Sequence, residues 1–219
     1  DQDHLREYKV DAVFAPTVDE MYPNADGPLP GPLTWVTVDR LTDHLCGAYR
    51  DGHFQGVTTV VTKLLNACKP HVAVFGTKDA QQLVILRRMA EDLLLDVEVV
   101  GVETIREPDG LAASSRNKYL SEEQRAQSTV LYDAITTAKE RILAGEQDAG
   151  AVVEAMHESL VQAPDGDVQY AAVVDTRTLQ PLDCLPPGKE VLAAVAVYFG
   201  DTRLIDNVFV TVPAPRSDG

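Results

Sequence analysis

The chain is short of positive charge. Its 219 residues carry 19 Lys and Arg against 34 Asp and Glu, a formal net charge of −15. It lacks the basic footprint of a nucleic-acid backbone binder, so any anionic ligand must be met by a few local cations. The acidity serves solubility. Long apolar runs are also missing: none approaches the roughly 20 residues that span a bilayer. The opening DQDHLREYK has no basic–apolar–small order of a signal peptide. Neither nucleic acid nor a membrane is expected as a partner. Cysteine is scarce. Cys46, Cys68 and Cys184 are widely spaced, with no CxxC and no His at metal-ligand spacing. An odd count at low density fits ordinary buried thiols in a reduced, cytoplasmic compartment, with no metal held by the protein. Aromatic residues make up only 6%, so the core must come from Val, Leu, Ile and Ala, which the 45% apolar share allows. No Walker A run, GxGxxG or GxSxG occurs, so the usual nucleotide and nucleophile signatures are absent.

What remains is ordered. The length suits one large domain or two small ones. The chain has no initiator Met and opens on what reads as a helix tail, Leu5 to Lys9. A buried-type strand follows, Val10 to Phe14, and earlier elements are expected upstream. Tyr22 to Pro32, rich in Pro, Gly and Asn, reads as a loop. Val36 to Val38 suggests a short strand and Asp39 to Gly47 one or two helical turns. Val57, Val60, Val61, Leu64 and Leu65 recur at helical spacing and predict a helix over Gly56–Lys69. Val72–Phe75 reads as a strand buried on both faces, Asp79–Leu94 as a helix and Val97–Val102 as a second buried strand. Helix, strand, helix, strand with short connections predicts parallel pairing. Such sheets bind ligands beyond the carboxyl ends of their strands.

After Arg106 the pattern changes. Ser121-Glu-Glu-Gln124 is a capping box opening a long helix to about Ala144, followed by a helix over Ala149–Val161. Strand-like runs then occupy Val168–Val174, Val191–Phe199 and Leu204–Val212. The expected fold class is α/β: a Rossmann-like parallel sheet in 1–105, and a small α+β domain in 106–219.

Three patches can carry chemistry. In FGTKDAQQLVILRRM (75–89) a strand ends at a glycine, and Lys78 and Asp79 stand at a helix start. Free N–H groups and the dipole favour an anion there, and Lys78 adds a full charge. Asp79 is either an N-cap or a carboxylate for a sugar hydroxyl or metal. Gln82 lies one turn on and shares the pocket, whereas Gln81 points elsewhere. In Arg50-Asp-Gly-His53, Arg and His three apart either aim at one anion or simply pack. His4, His44, His71 and His157 read as unpaired surface residues. In Ala113-Ser114-Ser115-Arg116-Asn117, two hydroxyls, a guanidinium and local N–H groups either wrap a polyphosphate or make a solvated turn. Asp109-Gly110 makes a tight turn just before it.

The segments HFQGVTTVVTKLLN, FGTKDAQQLVILRRM and GVETIREPDGLAASSRNKYLS, with TRLIDN at 202–207, together resemble the pantoate–β-alanine ligase (pantothenate synthetase) family. The likeness runs from about Val10 to Val212 and is strongest through residue 121. It implies a nucleotidyltransferase-type domain plus a smaller C-terminal domain, in a homodimer. It implies ATP, carried with Mg²⁺, and pantoate forming a pantoyl-adenylate and pyrophosphate, which β-alanine converts to pantothenate and AMP. By motif, Gly76, Thr77, Lys78, Asp79, Ile105, Ala113, Ser114, Ser115 and Arg116 would hold ATP, and Gln82 would hold pantoate. Ile105 would meet adenine through its backbone, and 113–116 would be a mobile phosphate loop. Lys78, Ser114, Ser115 and Arg116 are the expected catalytic residues. Arg50, His53 and Arg203 fall at pocket positions.

The chain departs from the family in places. Thr77 stands where Glu is usual, Asp51 where Pro is frequent and Ala113 where a larger apolar residue is usual. The family's His-x-Gly-His motif, its proton-donating histidine and a pantoate-binding Gln have no match, so the sheet is expected to be N-terminally incomplete. The chain alone should then have a weak or absent active site and exposed apolar strand surface. Two other readings stay open: a related adenylyltransferase with another acid substrate, and a non-catalytic nucleotide-binding remnant.

Overall fold

A computed structural model describes residues 2–23 and 31–214; most of the loop expected at Tyr22–Pro32 lies outside them. The chain begins with short helices α1 (Gln2–Glu7) and α2 (Val18–Met21). Between them Val10–Phe14 bends at Asp11 and pairs with no strand among the described residues, and Val13 and Phe14 are 51% and 54% exposed. The expected strand is absent because an apolar run without a ladder neighbour cannot satisfy its backbone groups as a strand. Val36–Val38 is not a strand either. Its backbone is met by helix hydroxyls: Thr59 Oγ1 accepts from Val36 N–H at 3.0 Å, and Thr58 Oγ1 donates to the Val36 carbonyl. The helical turns expected at Asp39–Gly47 shift to a 3₁₀ turn, Leu45–Tyr49.

Helix α3 (His53–Cys68) leads to β1 (Val72–Gly76), α4 (Ala80–Asp92) and β2 (Glu98–Val102). The strands pair in parallel, from Val72 opposite Glu98 to Gly76 opposite Val102, as the alternation predicts. Leu65 of α3, Leu86 and Met89 of α4 form an apolar cluster under Ala73 and Phe75 of β1. β1 is not buried on both faces, however. Its exposure alternates, and Val72 and Val74 stand open at 48% and 59%, because the helices pack on one face only. Exposed apolar strand surface is therefore present, as expected.

Beyond β2 come α5 (Glu122–Gln127), α6 (Val130–Leu143) and α7 (Ala149–Leu160). Strands β3 (Gly166–Asp175), β4 (Glu190–Phe199) and β5 (Thr202–Thr211) follow as an antiparallel sheet in that order. The Ser121–Gln124 capping box forms with both of its reciprocal bonds. The long helix predicted after it is interrupted at Ser128–Thr129. Ser128 is fully buried; its N–H donates to the Gln124 carbonyl at 2.9 Å and, at 3.3 Å, to that of Arg125, whose oxygen also accepts from Ser128 Oγ at 2.8 Å.

The antiparallel sheet is covered on both sides. Leu131, Ile135, Ile142, Val152 and Met156 of α6 and α7 pack on Val195, Val197 and Leu204. The opposite face meets the first half of the chain: Leu41, Leu45, Phe54, Val84 and Ile85 join Val174, Leu192 and Ala194 in one cluster. Period-2 alternation along β5 thus sends Leu204, Asp206 and Val208 toward α6 and α7. Arg203, Ile205 and Asn207 go toward the parallel pair.

Candidate functional site

Where the two sheets meet, a cavity of about 60 Å³ opens beside the start of α4. Seven residues singled out in the sequence line it: Arg50, His53, Lys78, Asp79, Gln82, Arg116 and Arg203. They come from four places in the chain. Gly76, Thr77, Ile105, Ala113, Ser114 and Ser115 do not reach its wall. Gly76 ends β1, and Thr77 Oγ1 lies 3.4 Å from Thr104 Oγ1 across the strand ends. Ile105 is 78% exposed, and its carbonyl accepts from Ala113 N–H at 2.8 Å. Ser114 Oγ accepts from Arg116 N–H at 3.2 Å, and Ser115 is exposed.

The start of α4 is held from two sides. Gln81 also touches the wall, though expected to point elsewhere, and its amide is fully engaged. Nε2 donates to the Leu41 and His44 carbonyls, both at 2.9 Å, and Oε1 accepts from Gly47 N–H. From β5, Asn207 Nδ2 donates to the Lys78 carbonyl at 2.8 Å. Asp79 occupies the N-cap position of α4 but makes no side-chain capping bond. The capping reading of Asp79 is thus not realised, because its backbone (φ −97, ψ 59) belongs to a 3₁₀ turn running into α4.

Arg50 Nη1 lies 2.9 Å from His53 Nε2. A guanidinium only donates, so Nε2 accepts and the ring is neutral, with its proton on Nδ1. Burial and then the Arg50 charge push the His53 pKa below its ordinary value, against an opposing pull from Asp79. A histidine with a depressed folded pKa stabilises the fold above the unfolded pKa of about 6.5, and that contribution is lost as pH falls through it. NMR titration should give His53 a pKa below 6.5, with stability to urea declining from about pH 7 to pH 5. His53→Gln should flatten that decline; a His53 that titrates at or above 6.5 contradicts the neutral assignment.

Arg203 is only 8% exposed. Nε donates to Gln169 Oε1 at 2.9 Å, Nη2 contacts Cys46 Sγ at 3.3 Å, and the guanidinium lies over the Tyr170 ring. Nη1 is buried without a partner. Tyr170 Oη sits 3.3 Å from Cys46 Sγ, and burial, followed by Cys46, pushes the phenol pKa well up. Arg116 Nη1 reaches the Arg203 carbonyl at 3.4 Å, so the 113–117 loop rests on β5. The base of that loop is pinned by Arg125, which pairs with Glu107 and Asp109 at 2.7 Å each and holds both carboxyls below their usual range. Asn117 Nδ2 donates to Glu107 at 2.7 Å. Gly110 has φ +91, and a Cβ there would lie 2.2 Å from the Tyr132 ring, so the turn requires glycine.

Electrostatically the cavity opposes the rest of the chain. Arg50, Lys78, Arg116 and Arg203 converge on it in a chain of net charge −15. Two acidic residues border it: Asp206 turns its carboxylate away to pair with Arg106, and Asp79 makes no salt bridge among the described residues. Such a site attracts an anion. Among the described residues no group of three or more His, Cys, Asp or Glu is placed to hold a metal, and no helix is long and apolar enough to cross a membrane.

The sequence reading missed Cys46, Tyr170, Asp206 and Asn207 at the wall. Strand alternation within TRLIDN could have placed Asn207 beside Arg203; nothing local marks Cys46 or Tyr170, whose contact joins residues 124 apart. Two smaller expectations are corrected. Cys68 and Cys184 are exposed, and only Cys46 is a buried thiol. Neither His44 nor His4 is unpaired: His44 Nε2 lies 3.0 Å from Gln180 Oε1, and His4 Nδ1 lies 3.6 Å from Glu7 Oε2.

Comparison with known proteins adds a family. The family described as Pantoate-beta-alanine ligase matches residues 1–209. The pantothenate synthetase of Salinibacter ruber is 68% identical over 218 residues, covering 99% of this chain and 74% of that protein. That of Heliobacterium modesticaldum is 50% identical, covering 93% and 69%. The crystal structure of pantothenate synthetase from Thermus thermophilus superposes with a TM-score of 0.86 at 44% identity, covering 98% of this chain and 74% of that one. Pantoate-beta-alanine ligase from Francisella tularensis, complexed with beta-gamma ATP and beta-alanine, gives 0.67 at 27% identity, covering 95% and 68%.

Proposed function

The chain belongs to the pantoate–β-alanine ligase family, and from that premise we propose how its cavity serves the joining of pantoate to β-alanine with ATP. The fold is the α/β nucleotidyltransferase type. The observation that carries the reading is the convergence of Arg50, Lys78, Arg116 and Arg203 with Asp79 and Gln82 on one cavity of an acidic chain.

The pantoate carboxylate attacks the α-phosphorus of ATP. A carboxylate O–P bond forms, the bond to pyrophosphate breaks, and negative charge grows on the phosphoryl oxygens and the leaving oxygen. Lys78 and Arg116 supply fixed positive charge there, and such charge counts most where water is excluded. Gln82 orients pantoate by hydrogen bonding, which aligns the attack. Asp79 accepts from the ribose. Gly76 and Thr77 offer backbone groups to ATP, and the Ile105 backbone meets adenine. Ala113, Ser114 and Ser115 stand off the wall, so the loop moves inward to bring both hydroxyls onto the phosphates. The β-alanine amine then attacks the acyl carbon, a C–N bond forms and AMP leaves. No residue of this chain is assigned as proton donor. Arg50 keeps His53 neutral and in place, and Arg203 supports the wall beneath Arg116. Mg²⁺ arrives bound to ATP as part of the substrate. The working form is a cytoplasmic homodimer, with a boundary near residue 105 between the nucleotide-binding part and the part carrying the phosphate loop.

AMP release by the whole protein tests the reading. It should require ATP, pantoate and β-alanine together. AMP formed without pantoate would point instead to an adenylyltransferase acting on another acid, and no AMP under any condition to a non-catalytic nucleotide binder.

A further inference from the structure

β5 carries a feature the reaction scheme leaves unexplained. Asp206 is 1% exposed, and strand alternation puts its side chain on the side of the sheet packed by α6 and α7. A charge there is costly, and a pair of apolar residues would often serve stability as well or better. It is held by a bidentate ion pair with Arg106: Nη1 to Oδ2 at 2.7 Å and Nη2 to Oδ1 at 3.0 Å. Asp206 Oδ1 also accepts from the backbone N–H of Asn207 at 2.8 Å. Asn207, on the opposite side of the sheet, then donates from Nδ2 to the Lys78 carbonyl at 2.8 Å. At the other end, Arg106 Nη1 donates to the Gly110 carbonyl at 2.9 Å, in the turn at the base of the phosphate loop.

These contacts form one continuous chain: Gly110, Arg106, Asp206, Asn207, Lys78. It passes through the sheet from the loop base to the peptide between Lys78 and Asp79. The Asn207 bond fixes the plane of that peptide, and so the exit directions of the two side chains flanking it. Arg116 leans on the same strand through the Arg203 carbonyl. β5 is therefore a shared reference for both groups assigned to the phosphates.

We propose that Asp206 and Asn207 are positioning residues that hold Lys78 in register with the phosphate loop. They act through Lys78 rather than on the substrate. The inference rests on the role given to Lys78 above, and it adds a requirement that role alone does not make: the effect of Asn207 must pass through the Lys78 side chain.

The test uses the whole protein in pantoate-dependent ATP–pyrophosphate exchange. Asn207→Leu removes the donor, keeps the bulk and adds no charge; Asn207→Ala removes it without steric conflict should the leucine variant not fold. Either should lower kcat about tenfold, the scale of one hydrogen bond, with KM for pantoate unchanged. In the Lys78→Ala background the same substitution should cost little more, because residues acting through one group are not additive. A folded Asn207 variant with wild-type kcat overturns the proposal. So does an undiminished tenfold loss in the Lys78→Ala background, since Asn207 would then act by itself. A harmless Lys78→Ala is a different failure: it removes the role given to Lys78, and the premise with it.

Discussion

Lys78→Ala lowers the rate of pantoyl-adenylate formation at least ~100-fold, the scale of losing one preorganised charge partner in a transition state. The number is large because of where Lys78 sits. Its carbonyl is tied to β5 and the turn that carries it runs directly into α4, so its ammonium starts from a fixed base and loses little freedom on meeting a phosphate. Arg116 shares the same cavity but projects from a separate 3₁₀ turn, Ser115–Tyr119, so it cannot take over the position. Single-turnover formation of the adenylate reads the effect without interference from product release. KM for pantoate should change little, because that substrate is assigned to Gln82. A near-wild-type rate refutes the assignment of Lys78 to the phosphates.

Arg106→Met destabilises the fold by about 3–5 kcal/mol, the range for breaking one side of a buried ion pair. The side chain of Asp206 is 1% exposed and that of Arg106 24%, so removing the arginine leaves a buried carboxylate with a single backbone N–H for company. The guanidinium also lies 4.8 Å from the Tyr132 ring centroid, and that contact goes too. Set against the 5–15 kcal/mol by which domains are stable, the urea midpoint should fall steeply. The double variant Arg106→Met/Asp206→Leu removes both charges and should recover most of the loss. It should not recover the adenylation rate, because the path from the loop base to Lys78 stays broken. A single variant that loses less than about 1 kcal/mol shows that the pair is not buried in the sense that makes it costly.

The contrast between these residues explains what the sequence made legible. Lys78, Asp79 and Gln82 could be placed because strand end, glycine and helix start follow one another in the chain; helical periodicity did not exclude Gln81, which reaches the same wall. The parallel pair and the three antiparallel strands were likewise readable from local pattern. Asp206 and Asn207 were not singled out, since their partners Arg106 and Lys78 lie 100 and 129 positions away. β1 was misread for a related reason. Its run of Val, Ala, Val and Phe is compatible with burial on two faces, but burial is a property of neighbours, and Val72 and Val74 have none over them. The break at Ser128–Thr129 falls where a buried hydroxyl bonds the Arg125 carbonyl, which no propensity records.

The distribution of thiols has a practical side. Cys68 closes α3 in the half with the parallel pair, Cys184 bridges to Asp148 ahead of α7 in the other half, and both are exposed while Cys46 is buried. These 219 residues thus offer two exposed thiols as attachment points for a donor and an acceptor dye. With no residue replaced, the distance between the halves can be followed as ATP is added, and the inward swing of the phosphate loop can be watched for any rotation of the body that carries it.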